Sequence, residues 1–173
     1  MRSARISTIV LSISFGISAA QAADNAVERG KYLVTIAGCN DCHTPGYFLG
    51  KPDFAHALSG SDVGATIPGV GAFVGRNLTP DEETGLGKWT DDEIITAMTR
   101  GVRPDGRKLA PVMPWRALAA LSSDDAKAIV AYLRSLPAVH HAVPGPFGPA
   151  ETPSTLVFVI VPGDVYAKMP KPQ

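Results

Sequence analysis

The most constraining feature of this chain is a five-residue run, Cys39-Asn40-Asp41-Cys42-His43, which holds both of its cysteines. Two thiols three residues apart share one face of a helical turn, so both reach the same neighbour. Four kinds of site use such a pair. A thioredoxin-like redox pair follows a strand in a βαβ unit, whereas residues 28–37, just ahead of this run, have helical periodicity. A zinc site needs two more ligands at a recognisable spacing, and only His56 and the adjacent His140 and His141 are on offer. A structural disulfide closing so short a loop restricts little of the unfolded chain. The fourth kind also uses the histidine. C-x-x-C-H is the signature of covalent haem attachment, with thioethers from Cys39 and Cys42 and an iron-bound nitrogen from His43. Only that chemistry employs all three reactive side chains, and it implies one haem c per chain.

Composition agrees with a folded, exported protein. The chain has 173 residues, 45% of them apolar, enough for one domain with a real core plus a tail. Its 16 basic and 16 acidic residues cancel, which gives no global electrostatic reason to expect nucleic acid. Residues 1–22 read as a cleaved secretory signal: Arg2 and Arg5, an apolar Ser-rich stretch, then Ala20-Gln21-Ala22 before the cleavage point. Four serines dilute that stretch, and it is too short for a bilayer span. The expected location is therefore the periplasm, with any membrane association made through a partner.

Along the mature chain, Gly38 stops the first helix and residues 44–89 show no long periodic segment. A stretch that irregular inside a compact domain implies that something non-protein organises it. Thr90-Asp91-Asp92-Glu93 is a capping box that opens a helix to about Arg100, ended by Gly101. Ser122 or Ser123 caps a last helix running to about Leu136, with Pro137 stopping it. Its apolar positions Ala126, Ile129, Val130, Leu133 and Leu136 follow helical spacing. The expected architecture is all-α, with long loops around one haem and an extended Pro-rich tail. The corresponding segments are a signal at 1–22, a haem domain at 23–140 and a C-terminal extension at 141–173.

With His43 on one side of the iron, a second axial ligand must come from elsewhere. Methionine and histidine are the usual donors, and methionine raises the potential. Met113 lies in Ala110-Pro111-Val112-Met113-Pro114-Trp115, where two prolines stiffen the loop around it. Met98 falls at i+4 from Ile94 on an apolar helix face and is expected in the core. Met169 sits in a Pro/Lys-rich end, and His56, His140 and His141 occupy loops without special restraint. Met113 is the expected ligand.

These features resemble class I c-type cytochromes. The similarity sharpens over residues 76–115, RNLTPDEETGLGKWTDDEIITAMTRGVRPDGRKLAPVMPW. That stretch is similar to one haem domain of the multi-haem cytochrome c subunits of membrane-bound alcohol, aldehyde and gluconate dehydrogenases. There the matching blocks run roughly N-I-T-P-D, T-G-I-G-x-W-S/T-D and P-A-M-P-Y. The resemblance spans about Val27 to His140 and implies Cys39 and Cys42 as thioether cysteines, His43 as proximal ligand and Met113 as distal ligand. It also implies that Gly30 and Tyr32 of the first helix meet Tyr132 of the last. The large subunits carry several C-x-x-C-H motifs, and this chain carries one.

The expected function is single-electron transfer between a redox enzyme and a respiratory acceptor, with no catalysis of its own. The same features fit an electron-transfer subunit of a periplasmic dehydrogenase complex. A ligand-binding or catalytic haem protein is the rival class, and it requires a displaceable Met113. Trp89 and Trp115 are expected in ordinary packing, with haem cover or a propionate bond as the alternative; Arg100, Arg103, Arg107 and Lys108 in a solvated turn, with propionate pairing or steering of an acidic partner as the alternative; and Asp81-Glu82-Glu83 in a solvated loop. The β-prone run at 155–161 is too short to span a membrane and too apolar to leave bare, so it is expected to be buried against its own domain or in a partner, as a wrapping strand or docking arm.

Overall fold

A computed structural model describes residues 19–170. Residues 1–18 of the signal expected at 1–22 lie outside them, and its last four fall in the first helix. Helix α1 (Ala19–Ile36) begins well before the expected start at Glu28. Its first two turns are rich in alanine, the strongest helix former, and their polar side chains stay on the solvent side. Gly38 then turns left-handed, at φ 66°, and α2 (Cys39–His43) is a single short turn of helix.

Helix α3 (Asp91–Arg100) starts at the expected capping box, with Thr90 and Glu93 each bonding the other's backbone, and stops at Gly101. A short turn, α4 (Trp115–Leu118), leads to α5 (Ser123–Ser135), capped by Ser122. Helices α1 and α5 form the principal packing pair. Leu33, Val34, Ile129, Val130 and Leu133 meet Leu58, Leu86 and Ile94 in one buried cluster. The expected meeting of the two helices occurs at Gly30: a Cβ there would lie 1.9 Å from the Ala128 carbonyl oxygen and 2.8 Å from Tyr132 Cβ. The missing side chain is what lets the backbones touch.

The all-α expectation is corrected by a small sheet. Strands β1 (Val63–Ile67) and β2 (Gly71–Val74) form an antiparallel hairpin in the region expected to be irregular. A third strand, β3 (Leu156–Phe158), comes from the C-terminal extension and pairs parallel with β1, giving the order β2-β1-β3. Parallel pairing with a segment more than ninety residues away leaves no local sequence signal.

The run at 155–161 wraps onto its own domain as β3, and part of its apolar surface stays uncovered on this chain. Leu156 is 60% exposed, Phe158 42% and Ile160 77%. A six-residue helix, α6 (Gly163–Lys168), follows. Among the described residues, no helix is long and apolar enough to cross a membrane.

Candidate haem site

The helices and the sheet enclose a cavity of about 940 Å³. That is at the upper end of the range of about 300–1,000 Å³ typical of ligand cavities. Cys39, Cys42 and His43 line it together with Met113, which lies far from them in sequence. Residues from α1, α3 and α5, among them Val34, Ile94, Ile129 and Leu133, make one apolar wall, and β1 and β2 contribute Val63, Ala65, Phe73 and Val74 opposite.

Each chemical group is held by identifiable contacts. The His43 ring nitrogen Nδ1 lies 2.7 Å from the Arg76 carbonyl oxygen. A carbonyl only accepts, so Nδ1 carries the proton and Nε2 keeps its lone pair for a metal. Burial pushes the His43 pKa down, partly opposed by that hydrogen bond, and holds the imidazole neutral. Burial also pushes the Cys39 thiol up to about 11 and raises Cys42. Both cysteines are therefore protonated thiols at neutral pH, unlike the low-pKa cysteine of a thiol redox catalyst.

Helix α2 is pinned from the strand side. Gly60 donates to the His43 carbonyl at 2.8 Å, and a Cβ on Gly75 would sit 1.5 Å from the Cys42 carbonyl oxygen. Only glycine permits that approach. Met113 sits in a tight loop: its amide donates to Ala110 at 3.0 Å, and its carbonyl accepts from Trp115 at 2.8 Å.

The competing ligands separate by position. Met98 packs against the hydrophobic cluster, as expected, and also reaches the cavity wall. His56 is bonded to Asp53 at 2.6 Å, the His141 ring to the Ser59 carbonyl at 2.9 Å, and His140 lies beside Asp81 and Glu83. None of the three histidines lines the cavity, and Met169 is on the exposed tail.

A scan against family models matches residues 27–137 to cytochrome c. The chain belongs to the cytochrome c family. The cytochrome c subunit of a quinone-dependent alcohol dehydrogenase from Gluconobacter oxydans (strain 621H) is 35% identical over 124 residues, covering 71% of this chain and 24% of that protein. The gluconate 2-dehydrogenase cytochrome c subunit of Pantoea cypripedii is 36% identical over 112 residues, covering 65% of this chain and 23% of its own length. A fructose dehydrogenase cytochrome subunit from Gluconobacter japonicus is 32% identical over 111 residues, 62% of this chain and 21% of that one. This cytochrome thus spans about a quarter of the length of the relatives it matches.

With the family established, the lining chemistry fits haem c: two thiols on one helical turn, a neutral imidazole and a thioether around an apolar chamber. Trp89 lines the chamber and packs on the core, with Arg103 over its ring at 4.8 Å; Trp115 packs against Gly101 outside it. The turn around Arg103 and Arg107 forms as expected, but both guanidinium side chains belong to the cavity wall, together with Arg76. Burial, followed by the neighbouring arginines, pushes Arg76 below the usual arginine range, and Arg107 shifts the same way.

Sequence reasoning assigned no role to Arg76 or Asn77, although both stand in the quoted R-N-L-T-P block. Asn77 is 2% exposed; its amide donates to Thr84 and the Val139 carbonyl, and its oxygen accepts from Thr79 twice. A polar pair in front of a Thr-Pro turn, in a chain poor in charge, was the available clue. The Asp81 loop is solvated at Glu82 and Glu83, while Asp81 itself caps the turn through Thr84.

Proposed function

We propose that this chain carries one covalently attached haem c and passes single electrons from a dehydrogenase to a respiratory acceptor in the periplasm. The observation that carries the proposal is the convergence of Cys39, Cys42, His43 and Met113 on one chamber. When bound, haem c supplies a one-electron ferrous/ferric couple. The residues supply its setting. Cys39 and Cys42 would form the thioethers. His43 offers Nε2, oriented through Nδ1 by the Arg76 carbonyl. Met113 offers a thioether that carries no proton and so adds no pH dependence to the iron. Arg76, Arg103 and Arg107 hold positive charge on the wall and would pair with the propionates of a bound haem.

With His43 and Met113 both holding it, the iron would keep no open position for substrate, and on this reading the chain serves an enzyme rather than acting as one. The relatives named as dehydrogenase cytochrome subunits support a redox enzyme as its partner. The signal-like pattern of residues 1–22 supports the periplasm as the location.

Intact mass of the exported protein tests the stoichiometry. The expected result is a single haem adduct on a chain lacking residues 1–22, with Cys39→Ala or Cys42→Ala each leaving a single thioether. An unmodified mass, or more than one haem per chain, contradicts the proposal.

A further inference from the structure

The C-terminal extension does more than trail from the haem domain. Gly145, Pro146, Phe158 and Ile160 all line the same chamber as the C-x-x-C-H run. Five contacts hold the extension against the haem domain. Strand β3 pairs with β1 from Val63–Leu156 to Ala65–Phe158. Thr155 donates its hydroxyl to the Asp62 carbonyl at 2.6 Å, and Thr66 donates to the Phe158 carbonyl at 2.8 Å. The Phe158 ring meets Phe48 edge-on at 4.3 Å. Nearer the start of the extension, Phe147 bridges Ala72 of β2.

Arg76 joins this arm to the proximal side. Its guanidinium donates to the carbonyls of Val143 and Gly145, while its own carbonyl holds the His43 ring. One residue therefore orients the imidazole with its backbone and clamps the arm with its side chain.

We infer that residues 143–160 are a structural wall of the haem chamber that excludes water from one side of the haem and raises its reduction potential. The inference rests on the haem reading above. Its physical basis is charge: oxidation leaves one more positive charge at the iron, and a dry apolar wall disfavours that state. The arm is thus a potential-setting element, with Phe158 and Ile160 as the positioning residues at its tip.

Charge reversal at one site tests this on the holoprotein. Ile160 is 77% exposed, so Ile160→Lys and Ile160→Asp leave the fold intact. The expected result is a midpoint potential higher in the Lys variant than in the Asp variant. The separation should be at least about threefold in the ferric/ferrous equilibrium, where tenfold is about 59 mV for a one-electron couple. Phe158→Ala should lower the potential, and it should also increase cleavage of the arm by protease under native conditions. Coincident potentials for the two Ile160 variants, with Phe158→Ala unchanged in both measurements, would overturn the wall. A wild-type chain with no covalent haem overturns the functional reading instead, and intact mass tells these failures apart.

Discussion

The two sides of the haem chamber are built by different physics. On one side α1, α3 and α5 pack through apolar side chains, with Val34 1% and Ile129 2% exposed, and through the backbone contact at Gly30. On the other, β1, β2, the R-N-L-T-P segment and the extension are fixed by directed hydrogen bonds. Asn77, Thr79 and Thr44 are buried there, and each is bonded. Area burial tolerates volume-conserving exchange, whereas a directed network fails when one donor is lost. The helical side therefore supplies stability, and the strand side supplies position for His43 and for the chamber's far wall.

The largest expected effect breaks the helical side. Gly30→Val puts side-chain atoms inside the Ala128 carbonyl contact, and neither backbone can yield without parting α1 from α5. Urea unfolding should show a loss of about 3 kcal/mol or more. A loss below about 1 kcal/mol would mean that the close helix approach does not anchor this side.

On the strand side, Asn77→Ala strands the buried Thr79 amide and removes the amide donor from the Val139 carbonyl. The expected loss is about 2 kcal/mol. Unlike Gly30→Val, it should also loosen the link between residues 139 and 79, read as faster amide exchange at Val139, whose amide bonds the Thr79 hydroxyl. Equal exchange in wild type and variant would erase the distinction between the two sides.

The smallest effect is in pH. Hydrogen bonds from the Thr84 hydroxyl and amide hold Asp81 below the usual carboxylate range. Its contribution is fully present above the unfolded value and is lost as pH falls through the folded one. Stability of wild type should therefore decline below about pH 4, and Asp81→Asn should flatten that acid limb. An unchanged limb would show that the Asp81 turn does not couple to folding.

Legibility in the sequence followed the same division. The helical side was readable because its signals are local: the box at Thr90–Glu93, the cap at Ser122, the stops at Gly38 and Gly101, and the glycine at 30. The attachment run and Met113 stood out in the sequence because haem chemistry would use those atoms, and they line one chamber. The strand side was not. β1 reads Val-Gly-Ala-Thr-Ile, with glycine and alanine where strong strand formers would stand, and its partners are the hairpin arm after Pro68-Gly69 and a segment past residue 155. The apolar run at 155–161 was seen, but its burial was inferred from hydropathy alone. Pairing to a sheet edge satisfies the backbone and still leaves Leu156 and Ile160 exposed. Arg103 and Arg107 looked solvated for a similar reason: nothing in a charged turn says which way it faces.

The central claim is that His43 and Met113 both hold the iron of one haem inside this chamber. Exposure of the reduced protein to carbon monoxide, followed by visible absorption, tests it most directly. Wild type should be inert on the timescale in which Met113→Ala binds at once, because only the variant offers an open axial position. Immediate binding by wild type, at the rate of the variant, would contradict the assignment and would favour a ligand-binding haem protein.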